Sequence, residues 1–362
     1  MSLNIRKNFS IKELNGYKIN SQARYFVEIA SITALEQLQK ENILKKHTPL
    51  IWGQGFNTLP HEKIENLIIQ PKLKGINIKK ETQEYTVVEV FSGEDWPDFV
   101  KWSVQHNLGG IENLAFIYGS VGGAIRGNIG AYGQVQEDAL EEVLTFNLKT
   151  NNFQTFTKAD CQFSYRTSIF KQTPNLLIVK ATYRLSNTPT LDTSYWSTKF
   201  GTLQEEIKKF ARQPFELKDI YRTLKYLRLT KFGDAKKGSF GTCGSHFLNP
   251  FVAKGRYLEL KKEFEKQGRF LQFYEPDKMR YSKNDIERLN KLNLVKIPAG
   301  VLLDVLGWKN KWIGNVGTLN HAIHVVTNRQ ASFQEIWDYT EAMKEDVKKN
   351  FGLELEREVM VV

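Results

Sequence analysis

Residues 109–133 read GGIENLAFIYGSVGGAIRGNIGAYG. A short apolar segment, Leu114–Ile117, runs into glycines at 119, 122, 123, 127, 130 and 133. Glycine accepts positive φ without a Cβ clash and lets a backbone N–H approach a ligand closely. Such turns in succession form concave nests of N–H groups that hold anions, phosphates above all. A glycine-rich run can also be a set of tight turns and nothing more. Asn113, Ser120, Asn128 and Tyr132 favour a ligand, because a bare turn has no use for those polar groups.

Upstream, the apolar run Pro49-Leu-Ile-Trp52 passes directly into Gly53-Gln-Gly55-Phe-Asn57. A strand followed by G-x-G opens the dinucleotide-binding fingerprint of the Rossmann fold. That fingerprint wants a third glycine at 58 and a helix after it. The chain has Thr58, then Pro60 and His61, so the Rossmann reading fails on two counts. Downstream lie YRTSIFK at 165–171 and, after Arg228 and Lys231, GTCGSHFLNP at 241–250. Cys243, Ser245 and His246 fall within four positions of each other. A Cys–His nucleophile is an alternative there, but neighbours in sequence rarely present their side chains to each other correctly.

Composition bounds the answer. A chain of 362 residues has room for two or three domains, and 41% hydrophobic with 25% charged residues is the make-up of a soluble globular protein. No apolar run approaches the ~18 residues of a membrane span, and MSLNIRKNFSIKELNG has no stretch of signal-peptide length. A cytoplasmic protein is therefore expected. Two cysteines, Cys161 and Cys243, are in no metal-ligand spacing and do not make a disulfide scaffold, so no metal is expected. The net charge of +11 is spread without a run of five or six bases, which argues against a nucleic-acid partner. A solvated lysine-rich surface explains it, as does a field that attracts polyanionic small molecules such as dinucleotides and nucleotide sugars.

Five separated segments resemble the UDP-N-acetylenolpyruvoylglucosamine reductase family, and the likeness runs from Asn8 to Val359. ENLAFIYGSVGGAIRGNIGAYG resembles that family's flavin-binding core, with the NIGAYG run intact. Tyr118, Ile125 and Gly127 stand where proline, proline and glutamine are usual. Gly53, Gly55 and Asn57 match a G-x-G-S-N turn, with Phe56 in place of the serine, so the turn offers one hydroxyl fewer. YRTSIFK matches Y-R-[DE]-S-x-F-K, with Thr167 for the acid. Gly244, Ser245, Phe247, Asn249 and Pro250 match G-S-x-F-x-N-P. Phe351-Gly-Leu-Glu-Leu-Glu-Arg-Glu-Val359 resembles a terminal L-E-P-E-V, with Arg357 in the proline position.

The resemblance implies an α+β fold: a two-part FAD-binding PCMH-type domain, like that of vanillyl-alcohol oxidase, over 1–190 (parts about 1–75 and 76–190). A substrate-binding α+β domain over 191–362 would follow, its last strand carrying a catalytic glutamate. It implies FAD and NADPH as cofactors. FAD would be held by Gly53, Gln54, Gly55, Phe56, Asn57, Thr58, Gly119, Ser120, Val121, Gly122, Gly123, Asn128, Gly130, Ala131, Tyr132 and Arg228. Arg166, Ser245 and Glu358 would be catalytic, with Glu356 the alternative to Glu358. Tyr165, Lys231 and Asn249 would meet the substrate. The reaction would be reduction of UDP-N-acetylglucosamine enolpyruvyl ether to UDP-N-acetylmuramate in peptidoglycan synthesis, by a monomer. Another FAD-dependent oxidoreductase of this fold, acting on a small alcohol or sugar, is the alternative. A colourless nucleotide- or nucleic-acid-binding protein is the competitor from outside enzymology.

Pattern adds the elements. A capping box is expected at Thr33-Ala-Leu-Glu36, and another at Ser332-Phe-Gln-Glu335 before a long helix with Ile336, Tyr339, Met343 and Val347 inward. Strands are expected at Tyr85–Val90, Val143–Leu148, Phe153–Phe156 and Leu176–Leu185, and a domain boundary in the small polar stretch 186–194.

Overall fold

The computed structural model describes residues 3–40, 43–197, 201–232, 238–268 and 283–362. The side chain of Lys231 lies outside the described residues. The chain divides into two compact units: Met1–Phe9, Ala23–Gln54 and Glu65–Arg228 in the first; Ser10–Gln22, Gly55–Ile64 and Leu229–Val362 in the second.

The first unit is built on a five-stranded antiparallel sheet in the order Asn152–Thr157, Leu140–Asn147, Leu176–Ser186, Tyr85–Phe91, Ile76–Glu81. Tyr85–Phe91 alternates in burial, with Thr86, Val88 and Val90 inside, as a strand with one covered face does. The central strand opens with four buried residues in a row, Leu176–Val179, and so is covered on both faces. Leu177 and Val179 join Phe146 and Leu148 in a core with Val27, Ile29, Leu67 and Ile69 from the second sheet of the unit. That sheet runs Arg6–Ser10, Gln22–Ile29, Lys63–Pro71, Pro49–Ile51. Ile178, Ala181 and Tyr183 face the opposite way, against the helices Trp96–Gln105, Val121–Arg126, Leu203–Ile207 and Leu217–Phe232. Two of these helices show the apolar stripe plainly, Trp96, Phe99 and Val100 in one and Ile220, Leu224 and Leu227 in another.

The second unit has a four-stranded antiparallel sheet ordered Gly241–Ser245, His324–Thr327, Val316–Thr318, Trp312–Ile313. The helix Phe333–Phe351 begins in the expected capping box: Ser332 Oγ accepts from Glu335 N, and the Glu335 side chain accepts from Ser332 N. It ends at Gly352 in the left-handed region, φ 64°. Ile336, Tyr339, Met343 and Val347 are buried, as their helical spacing requires. They share their core with Tyr17, Ile19 and Leu59 from the early part of the chain.

Several expectations change. The boundary expected at 190/191 lies near 228 by compactness, and two early segments belong to the later unit. The first helix, Ile32–Lys40, starts at Ser31, whose hydroxyl accepts from Ala34 N at 3.1 Å, rather than at Thr33. The glycine stretch contains a helix, Val121–Arg126, capped by Ser120. Glycine is a poor helix former, which hid this element. The last strand is Met360–Val361, parallel to Thr58–Leu59, so Glu358 lies just before it and not on it.

Candidate active site

In the first unit the two glycine turns meet. A Cβ on Gly53 would stand 3.1 Å from Ser120 Oγ, so the turns approach this closely only because residue 53 has no side chain. Gln70 donates to Gly53 O at 2.7 Å, and Gln54 donates to Asp95 at 3.2 Å. Gly119 has φ 137°, and a Cβ placed there would meet nothing within 4 Å, so it borders open space. The N–H groups of Val121, Gly122 and Gly123 are already used by Glu94 O, Ser92 O and Ser120 Oγ. Those three N–H groups are therefore not available to a ligand as donors. The continuation of the Gly53 turn, Gly55–Thr58, belongs to the other unit; there Gly55, at φ 70°, packs so that a Cβ would strike Leu14 O at 2.2 Å.

Arg166 lies against the far end of the glycine stretch. Its guanidinium donates to Gly130 O at 2.7 Å and Asn128 O at 3.4 Å, and a Cβ on Gly130 would crowd Nη1 at 3.3 Å. The backbone carbonyls orient the arginine. Arg166, Asn128 and Tyr132 all have positive φ, 56°, 41° and 48°. Non-glycine residues held there store strain, and such residues gather at functional sites. Asn128 is fixed by donating to Ser164 O and accepting from Gln136. Arg228 sits 5.3 Å over the Tyr132 ring, and burial draws its pKa down, with the nearby charge of Arg166 adding to the effect. A buried guanidinium is stabilised by an anion beside it. Tyr165 lies 5.5 Å from the Arg166 guanidinium.

Buried polar atoms in this unit lack a partner: Gln70 Oε1, Ser92 Oγ, Asn113 Oδ1 and Arg228 Nε have none among the described residues. Asn113 has committed its Nδ2 to Tyr132 O and Asp192 O. Leaving such atoms unsatisfied costs about 1–3 kcal/mol each, and a polar ligand removes that cost. Open space at Gly119, close-approaching turns, the buried Arg228 and orphaned polar atoms fit a flavin dinucleotide. Gln70 and Ser92 carry no signal in the sequence, because each is a single polar residue in or beside a strand.

In the second unit the strand Gly241–Ser245 carries a bulge. Its register against His324–Thr327 shifts between Thr242 and Ser245, and Gly244 has φ 74°. A bulge re-aims the side chain that follows it. Cys243 is buried, with burial pushing its thiol up to about 12, whereas Ser245 is half-buried and its Oγ lies 3.1 Å from His324 Nε2. Burial disfavours the thiolate, and Cys243 Sγ lies against the Gly55 and Thr58 carbonyls while the His246 ring meets Tyr17, so the arrangement is not that of a Cys–His nucleophile. His246 turns inward, its Nδ1 2.6 Å from the Tyr17 hydroxyl, and burial lowers its pKa to about 3.

The terminal segment is laced to the same strand end. Glu358 N donates to His246 O at 2.9 Å, Leu248 N to Glu356 O at 2.8 Å, and Phe247 pairs with Arg357. Asn57 Nδ2 donates to Glu358 O at 3.2 Å. Glu356 is exposed and Glu358 half-buried. Arg357, in place of proline, lies over Trp337 at 4.0 Å and pairs with Glu341. Asn249 spends its Oδ1 on Ala299 N, at the start of the helix Ala299–Val305.

Comparison with known proteins agrees with this anatomy. Residues 23–147 match the FAD binding domain family, which makes the chain an FAD-binding protein of α+β architecture. Residues 235–362 match the UDP-N-acetylenolpyruvoylglucosamine reductase C-terminal domain. The chain belongs to the UDP-N-acetylenolpyruvoylglucosamine reductase family: it is 33% identical to the reductase of Flavobacterium johnsoniae over 99% of this chain and 100% of that one. The reductase of Bdellovibrio bacteriovorus is 31% identical, over 98% and 99%. The crystal structure of the Thermus caldophilus reductase has the same fold, TM-score 0.64 at 18% identity, covering 100% and 99% of the two chains.

Proposed function

We propose that this chain reduces UDP-N-acetylglucosamine enolpyruvyl ether to UDP-N-acetylmuramate, using FAD and NADPH, in the synthesis of peptidoglycan precursors. An enol ether conjugated to a carboxylate accepts hydride at its terminal carbon, and negative charge then develops on the neighbouring carbon and the carboxylate. FAD, when bound, supplies that hydride, with NADPH as the source of electrons. The turns at Gly53 and Gly119–Tyr132, with Arg228, hold the cofactor. Arg166, fixed by the Asn128 and Gly130 carbonyls, is preorganised to face developing negative charge. Glu358 acts on the same charge, protonated or by orienting a donor. Ser245 gives its proton to the carbon; a hydroxyl is a weak acid but adequate against an enolate.

The observation that supports this assignment is the hydrogen bond from Glu358 N to His246 O, which seats the terminal glutamate beside the serine strand. Lys231 and Asn249 are assigned to the substrate on the family pattern alone. Among the described residues no helix is long and apolar enough to cross a membrane. A cytoplasmic monomer is part of the proposal, checked by cell fractionation and by light scattering on a sizing column. The decisive experiment is spectral. Purified protein should show a flavin spectrum that NADPH bleaches anaerobically and the enolpyruvyl UDP-sugar restores. A colourless protein, or a bleached flavin the substrate leaves reduced, overturns the reading.

A further inference from the structure

Ser245 and His324 are Cα partners at the mouth of the bulged ladder, and their side chains meet there, Oγ to Nε2 at 3.1 Å. A second imidazole, His321, stacks on His324 with centroids 4.6 Å apart and planes within 6°. His246 is no rival for the serine: its ring is directed to Tyr17 and stays neutral. A serine that hands its proton to carbon must recover one at once, because a free alkoxide is far too basic to persist at neutral pH. An acid–base group within hydrogen-bond reach is the ordinary means of supplying it.

We propose that His324 acts through Ser245, holding its hydroxyl and resupplying its proton. This rests on the reading of Ser245 as the donor to the substrate. As the C–H bond forms at the substrate carbon, the Oγ–H bond of Ser245 breaks. The Nε2–H bond of the His324 imidazolium breaks as a new O–H bond forms on Ser245. His324 is left neutral and regains its proton from water. Ser245 from the paired strand and His321 from the turn before it both meet the His324 ring.

Two variants test this in the holoenzyme by stopped flow. His324→Gln keeps a hydrogen-bonding group near Ser245 but removes the acid. Flavin reduction by NADPH should stay within a small factor of wild type. Reoxidation by the enolpyruvyl substrate should slow by about tenfold or more, as loss of a proton-transfer group does. The wild-type fall in that rate with rising pH should vanish in His324→Gln. The double variant Ser245→Ala/His324→Gln should be no slower than Ser245→Ala, since the two act in one chain of transfer. Independently of turnover, the His324 ring signal in histidine-labelled NMR, identified by its loss in His324→Gln, should titrate with a midpoint that Ser245→Ala moves. Wild-type reoxidation in His324→Gln beside a slow Ser245→Ala overturns the role of His324 while leaving the serine in place. Wild-type reoxidation in Ser245→Ala overturns the serine reading itself.

Discussion

Cys243 and Ser245 are two positions apart on one strand, and the bulge between them gives them opposite fates. Ser245→Ala should leave flavin reduction by NADPH near wild type and slow substrate-dependent reoxidation by roughly 10²–10⁴, the usual share of a positioned acid. Cys243→Ala should change neither step, because its thiol is buried and protonated. An inactive Cys243→Ala with an active Ser245→Ala would make the thiol the chemical group. Glu358→Gln should depress reduction of the enolpyruvyl substrate far more than Glu356→Gln, whose side chain is exposed; steady-state kinetics with the opposite ranking would move the role to Glu356. His246 gives a pH signature in stability. Burial, with the charges of Arg357 and Lys344, holds its folded pKa near 3 against 6.5 for the free side chain. The unfolded chain thus takes up the proton first. Stability is full above 6.5 and is lost as pH falls toward 3, by about 2 kcal/mol at pH 5. Comparing urea unfolding at pH 7.5 and 5, His246→Phe should flatten that slope; an unchanged slope would mean His246 is not held neutral.

Among the elements, those with a strong period were legible from the sequence. Ser332-Phe-Gln-Glu335 and the spacing of Ile336, Tyr339, Met343 and Val347 announced the long helix, and both held. Ser332→Ala should cost about 1 kcal/mol of stability through loss of the cap, read as a lower denaturation midpoint. The helix Val121–Arg126 was illegible because its glycines are chosen for close approach: a Cβ on Gly122 would stand 3.0 Å from Ser92 Cβ. The bulge at Gly244 was equally hidden, since it depends on pairing with His324–Thr327, a strand far along the chain. Gly244 has open space around it, so Gly244→Ala meets no neighbour and is strained only through its φ of 74°, a strain that is relieved by giving up the bulge. That strain is about 1–2 kcal/mol. The variant should fold, bind FAD, and reoxidise slowly because Ser245 is aimed elsewhere. Wild-type reoxidation would show that the bulge does not direct the serine.

At the scale of the whole molecule, the motif order of five segments revealed the family, but composition could not reveal how the chain is shared between units. The polar stretch at 186–194 looked like a boundary by its residues, yet Asp192 O accepts from Asn113 and Tyr195 meets the Tyr132 ring, tying the stretch to the first unit. FAD should be released by denaturation, since neither glycine turn offers a cysteine or histidine for a covalent link. Flavin remaining on precipitated protein would contradict this. The second unit takes Tyr17, Ile19 and Leu59 into a core whose other members run from Cys243 to Val359. During synthesis its earliest pieces must therefore wait, exposed, until nearly the whole chain has left the ribosome. A gene fragment beginning at 229 would encode a core without Tyr17, Ile19 and Leu59, so an attempt to split this enzyme at the boundary its sequence advertises, or at the one its compactness advertises, yields one half with an incomplete core.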